Sequence, residues 1–114
     1  MAIWKTKTNP KEINQRLVNT MAGNLGINFT EVGDDYLIAT MPLSHLTSQH
    51  MGFMHGGANV VLAETIANIG CILSCEKDQT VVGLDINANH IRPGKSKVTA
   101  TAKAIHIGRS TMVW

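Results

Sequence analysis

The 114 residues imply one domain spanning 1–114, and the 44% hydrophobic fraction is ordinary for a globular protein. A formal charge of +2 with no run of Lys or Arg excludes a nucleic-acid-binding stripe, and leaves an anionic small molecule as the partner that scattered basic residues suit. The two cysteines, Cys71 and Cys75, lack Cys-x-x-Cys spacing and read as free thiols in a reducing compartment.

The start of the chain has no apolar stretch of signal-peptide length. The longest apolar region, Val60 to Leu73, is interrupted by Glu64 and Asn68, so no membrane span is expected and the protein reads as soluble and cytoplasmic.

In chain order, residues 10–22 predict a first helix. Pro10 suits its first turn, Glu12 its positive end, and Ile13, Leu17 and Met21 recur at helical spacing, with Gly23 as the stop. Ile27 to Val32 and Tyr36 to Met41 predict two strands joined by Gly33-Asp34-Asp35, with Leu37, Ala39 and Met41 on one face. Residues 42–55 have no period and read as a loop.

Gly56 to about Cys75 predicts a long helix that is apolar nearly all round, and such a helix is expected to be buried. Val81 to Ile91 alternates as a strand, with Val82, Leu84, Ile86 and Ala88 facing one way. Lys97 to His106 alternates as another, after a turn at Arg92-Pro93-Gly94. Ser110 to Trp114 begins a further strand with no turn or polar tail after it. Either the chain is a fragment lacking its C-terminal strand, or that strand pairs with something else. One apolar helix among strands needs a sheet to wrap it, which makes the fold class α+β, an antiparallel sheet curled around a central helix.

Glu64 is the candidate catalytic group. A carboxylate among Leu62, Ala63 and Ile66 is costly to bury, and burial would raise its pKa toward a useful range; the alternative is a structural hydrogen bond to the backbone or to Thr65. Asn68 and Cys71 share its stripe of the helix, and Asn68 suits the positioning of the carboxylate or a water. His55-Gly56-Gly57 at the helix start offers free backbone N–H groups and the positive end of the dipole, an oxyanion or carbonyl site. With Gln49, this stretch gathers an amide, an imidazole, an N–H donor and a carboxylate, the parts needed to activate water and polarise a carbonyl. The five-residue spacing of His45, His50 and His55 matches neither helix nor strand, so no metal site is expected.

Met54-His55-Gly56-Gly57-Ala58, followed by Leu62-Ala63-Glu64-Thr65, resembles the signature of hotdog-fold acyl-CoA thioesterases. It is most similar to the branch that holds the hydroxybenzoyl-CoA, dihydroxynaphthoyl-CoA and enterobactin-proofreading thioesterases. Val81 to Arg92, His106-Ile107-Gly108-Arg109 and Ile3-Trp4-Lys5 extend the resemblance over almost the whole chain.

The resemblance implies hydrolysis of an aromatic or medium-chain acyl-CoA. Glu64 would be the general base or nucleophile, and Gly56 N–H would hold the thioester carbonyl. Gln49 and His55 would orient the carbonyl, the water and the leaving thiol. Asn68 stands where the family has a small hydroxyl residue, and His50 where it often has proline. CoA, as part of the substrate and not a resident cofactor, would lie along Gly83 to Arg92 and the turn at Gly108-Arg109. His90 would touch the nucleotide or end the strand. Arg92 and Arg109 would pair with its phosphates or stand as solvated surface arginines.

Glu64 follows Gly56 by eight residues, about 12 Å along a helix, too far for one carbonyl to touch both. A second subunit with an antiparallel helix would bring its own Glu64 to that Gly56, so a homodimer with a shared active site is expected, as in the family, and two dimers commonly pair there. Two other readings stand behind this one. The first is a non-catalytic acyl-CoA-binding subunit. The second is a hotdog dehydratase, which usually pairs an Asp with a His near the helix start, whereas residues 36–77 contain no Asp.

Overall fold

Pro10 opens the first helix of the computed structural model, which describes Met1 to Trp114. This helix, α1 (Pro10–Arg16), is capped by Asn9, whose side chain accepts the Glu12 N–H at 2.9 Å. It stops well short of the expected residue 22. Asn19 turns into the left-handed region at φ 63°, and Thr20 caps a separate turn, α2 (Met21–Asn24), by accepting the Gly23 N–H. Gly23 lies inside α2, where a Cβ would sit 2.0 Å from the Leu17 carbonyl oxygen. Close packing, not a helix stop, therefore requires glycine at that position.

The expected hairpin forms between β1 (Asn28–Val32) and β2 (Tyr36–Met41), antiparallel with an irregularity between Phe29 and Glu31. Leu37, Ala39 and Met41 are fully buried on one face, as their alternation requires. Asn14 holds α1 to this hairpin. Its amide donates to the Phe29 carbonyl at 2.9 Å and accepts the Phe29 N–H at 2.7 Å.

The third strand, β3 (Val98–Lys103), pairs antiparallel with β2, giving the sheet order β1-β2-β3. The predicted strand from Lys97 to His106 does not run straight through. The Ile105 N–H turns to the Val113 carbonyl at 2.7 Å, and the chain continues as β4 (His106–Ile107) paired with β5 (Met112–Val113) in a second small sheet.

The long helix is α3 (Gly56–Ser74), as predicted. It is long and apolar enough to cross a bilayer, yet it lies on the sheet, and Ala58, Leu62, Ile66, Ile69 and Leu73 share one core with Ile13, Phe29, Leu37, Ala39 and Met41. The expectation of burial on every side is corrected: Val60, Ala63 and Ala67 are only half-buried and Glu64 is exposed. One apolar flank of the helix is thus only partly covered within the chain.

The second correction concerns Val81 to Ile91. This segment pairs with no strand, and Val82 and Leu84 are 81% and 89% exposed. Its alternation suits a strand, but the chain supplies no neighbouring backbone to complete a ladder.

The N-terminal arm closes the far end of α3. The N–H groups of Lys5 and Thr6 both donate to the Leu73 carbonyl, at 2.7 and 3.1 Å, satisfying an acceptor that a helix end leaves open. Trp4 stacks on Trp114 with ring centroids 5.9 Å apart and donates its indole N–H to the Gly33 carbonyl. Gly70 lets the Trp114 ring lie against the helix, since a Cβ there would fall 2.7 Å from it.

Candidate active site

The chain reaches the start of α3 through residues 42–55, which have no apolar periodicity because polar bonds hold them. Buried Thr47 donates its hydroxyl to the Pro42 carbonyl at 2.8 Å and accepts the Ser44 N–H at 2.9 Å. Its own carbonyl accepts the His55 N–H at 2.7 Å, and the Met54 N–H donates to the Gly94 carbonyl at 2.8 Å. These two bonds fix the entry into the helix.

Gln49 forms the corner of a tight loop. Its side-chain oxygen accepts the N–H groups of Met51 and Phe53, at 2.5 and 3.3 Å, and Gly52 takes φ 89° to close the turn. The amide nitrogen of Gln49 keeps its donors free.

At the helix start, His55 is the N-cap. Its Nδ1 accepts the Gly57 N–H at 2.8 Å, and its carbonyl accepts the N–H groups of Ala58 and Asn59 at 3.0 and 3.2 Å. Of the four donors that a helix N-terminus leaves open, only the Gly56 N–H has no acceptor in the chain. A free N–H at the positive end of a 19-residue helix is suited to a carbonyl oxygen that gains negative charge. Nδ1 of His55, used as an acceptor, places any imidazole hydrogen on Nε2.

Beside Gly56 lies a cavity of about 150 Å³ lined by Met54, Gly56, Asn59, His90, Arg92 and Gly94, among others. A Cβ on Gly56 would stand 3.2 Å from Nε2 of His90, so the imidazole lies directly against the glycine. Asn59 was missed in the sequence, although its spacing three residues after Gly56 places it on the same helix face.

Glu64 points to the partly covered flank of α3, and its carboxylate makes neither a hydrogen bond nor an ion pair within the chain. The structural bond weighed for it, to backbone or to Thr65, is not formed. Gly83 passes beside it, where a Cβ would come within 3.3 Å of Oε1. Asn68 is half-buried one turn further on.

The expected CoA contacts are spread out. Gly83 adjoins Glu64, and His90 and Arg92 adjoin Gly56. Gly108 and Arg109 line a separate cavity of about 280 Å³ at the other end of α3, together with Lys5, Glu76 and Gln79. Lys5 forms an ion pair with Glu76 there, and Gln79 donates its side-chain N–H to the Arg109 carbonyl at 3.4 Å. Cys71 and Cys75 are free. Burial and the neighbouring Cys75 push the Cys71 thiol above the usual range, an effect that the indole N–H of Trp114 offsets in part.

A sheet packed on one long helix, with an open N–H at the start of that helix and a carboxylate along it, defines a hotdog-fold protein. A mutant thioesterase from Pseudomonas aeruginosa superposes with a TM-score of 0.94 at 39% identity, over 97% of this chain and 81% of the other. The thioesterase superfamily model matches residues 51–114, and the chain belongs to that family.

Among relatives, the 1,4-dihydroxy-2-naphthoyl-CoA hydrolase of Escherichia coli is 44% identical over 98% of this chain and 83% of its own length. A proofreading thioesterase of Cronobacter sakazakii is 39% identical over 98% of this chain and 82% of its own. The predicted fold and thioester hydrolase activity are thereby established.

Proposed function

We propose that the protein hydrolyses an aromatic or medium-chain acyl-CoA to the free acid and CoA, with CoA as part of the substrate and no resident cofactor. The observation that carries this reading is the single unsatisfied Gly56 N–H at the start of α3, on the same helix as the unpaired carboxylate of Glu64. The relative named as a 1,4-dihydroxy-2-naphthoyl-CoA hydrolase supports the substrate class.

In this reading the thioester carbonyl oxygen accepts the Gly56 N–H, and Glu64 takes a proton from water or attacks the carbonyl carbon itself. Gln49, through its free amide N–H groups, and His55, from the helix start that it caps, orient the carbonyl, the water and the leaving thiol, and Asn68 holds the carboxylate or the water. Gly83, His90, Arg92, Gly108 and Arg109 contact CoA.

Glu64 follows Gly56 by eight residues, about 12 Å along the helix. The working site therefore combines the Gly56 of one protomer with the Glu64 of another, in a homodimer that pairs further into a dimer of dimers. The partly covered apolar flank of α3 and the exposed Val82 and Leu84 support an interface there. The two free thiols support a reducing, cytoplasmic location.

The test is Glu64→Gln assayed with a panel of acyl-CoAs and detection of released thiol. Loss of nearly all turnover with an unchanged melting temperature is the expected result. Ordinary turnover in the purified variant would remove Glu64 from the chemistry. Tight CoA binding by the unmodified protein without thiol release would mark a non-catalytic acyl-CoA-binding subunit.

A further inference from the structure

We propose that Asn59 selects pantetheine thioesters, through one hydrogen bond between its side-chain amide and the first amide of the arm. This rests on the reading above that the Gly56 N–H holds the thioester carbonyl.

Asn59 stands one turn into α3. Its backbone N–H donates to the His55 carbonyl at 3.2 Å, while its side chain makes no hydrogen bond in the chain. Trp114 Nε1 is the only side-chain nitrogen or oxygen that is both buried and unpaired, so the amide of half-buried Asn59 stays within reach of a ligand. Asparagine is also a poorer helix former than alanine, so helix stability does not call for it at this position.

Its relation to Gly56 points to the ligand. The cavity of about 150 Å³ at the helix start has two walls: Met54, Gly56 and Asn59 on the helix side, and the segment from His90 to Gly94 opposite. Asn59 has the only polar side chain on the helix side. Gly56 and Asn59 are three residues apart on one face, about 4.5 Å along the axis. In a pantetheine thioester the first amide follows the carbonyl after one sulfur and two methylene groups, a span that matches this rise. With the carbonyl on the Gly56 N–H, that amide falls beside Asn59. The volume agrees, since it suits the end of such an arm and lies below the roughly 300–1,000 Å³ of pockets for larger ligands.

The amide of the arm can donate through its N–H or accept through its carbonyl, and the asparagine side chain offers the complement of either. Entering the cavity strips water from that amide, which then needs a partner; a thioester without the amide leaves Asn59 unpaired instead. The contact lies away from the reacting atoms. Its binding energy sets the carbonyl carbon in place for attack and is therefore read in kcat/KM.

The test compares the unmodified enzyme with Asn59→Ala on three benzoyl thioesters: benzoyl-CoA, the N-acetylcysteamine ester, which keeps the first amide, and the S-pentyl ester, which replaces it with methylene groups. The expected result is a kcat/KM about tenfold lower on the first two, the factor that one neutral hydrogen bond provides, and unchanged on the third. The melting temperature should be no lower than that of the unmodified protein. A loss on benzoyl-CoA alone would move the contact to a more distant part of the coenzyme and overturn the inference. An equal loss on all three esters would assign Asn59 to the shape of the helix start, and no loss on any would leave it without a contact; either result overturns the inference as well. An unmodified enzyme that releases thiol from none of the three would instead overturn the proposed function itself.

Discussion

Nδ1 of His55 accepts the N–H of Gly57, and by doing so leaves the N–H of Gly56 as the one open donor at the start of α3. The cap is selective: His55 takes the Gly57 N–H through its ring and the Ala58 N–H through its carbonyl, its own N–H goes to the Thr47 carbonyl, and the one donor spared is the one that the proposed chemistry needs. His55→Ala is expected to destabilise the protein by about 0.5–2 kcal/mol, the usual cost of a lost N-cap. His55→Asn, which can cap, should recover most of that loss. Urea denaturation of the two variants makes the comparison.

Gly56→Ala tests the closeness of His90. The new methyl would stand 3.2 Å from Nε2 and push the ring aside while leaving the helix able to form. Turnover should fall about a hundredfold, the scale of an ångström-level misplacement at a reacting centre. Circular dichroism should remain that of the unmodified protein.

The sharing of one site between two protomers is checked by mixing inactive variants. Gly56→Val and Glu64→Gln, each inactive alone, should regain about a quarter of normal activity when unfolded and refolded together, because half the dimers are mixed and each carries one intact site. A mixture that stays inactive would place both groups in one protomer.

Gly94→Ala should cost about 1–3 kcal/mol through overpacking. A Cβ there would lie 2.8 Å from Cβ of Met54, which belongs to the rigid entry into α3 and cannot swing away as the end of a long side chain would. Thermal denaturation measures the loss, and activity should fall with it, since the Gly94 carbonyl helps to aim the helix start.

Stability should decline in mild alkali. Burial holds the Cys71 thiol above its ordinary range, and a hydrogen bond to Glu31 does the same for the exposed Tyr36 phenol. The unfolded chain therefore releases the Cys71 proton first as pH rises past about 8.5, so stability is intact below that point and is lost as pH climbs toward the folded value. Cys71→Ser should flatten the decline. At pH 8, alkylation of Cys71 should be slower than that of a free thiol.

Much of this was legible in the sequence where one local rule governs. The alternation of Leu37, Ala39 and Met41 specified a buried strand face, and the run from Gly56 specified α3 almost to the residue. The first helix was overextended because the spacing of Leu17 and Met21 outweighed the break at Asn19, which takes a positive φ just before the turn where Gly23 packs on Leu17.

Glu64 was read as buried because its sequence neighbours are apolar, but neighbours in sequence point around the helix, and its own direction faces the partly covered flank. The segment from Val81 to Ile91 carries a strand pattern without a strand, since pairing depends on what lies alongside. The role of Thr47 in the entry loop had no periodic signal at all, because it is made by hydrogen bonds between residues a few positions apart.

The arm that ends in Lys5 and Thr6 ties two distant parts of the chain to one carbonyl, that of Leu73. The last turn of α3 can therefore fray only when the arm lets go, so the amide protons of Lys5 and Thr6 should exchange with solvent deuterium at the rate at which that helix end opens. Two amides near the N-terminus thus serve as a timer for the far end of the central helix.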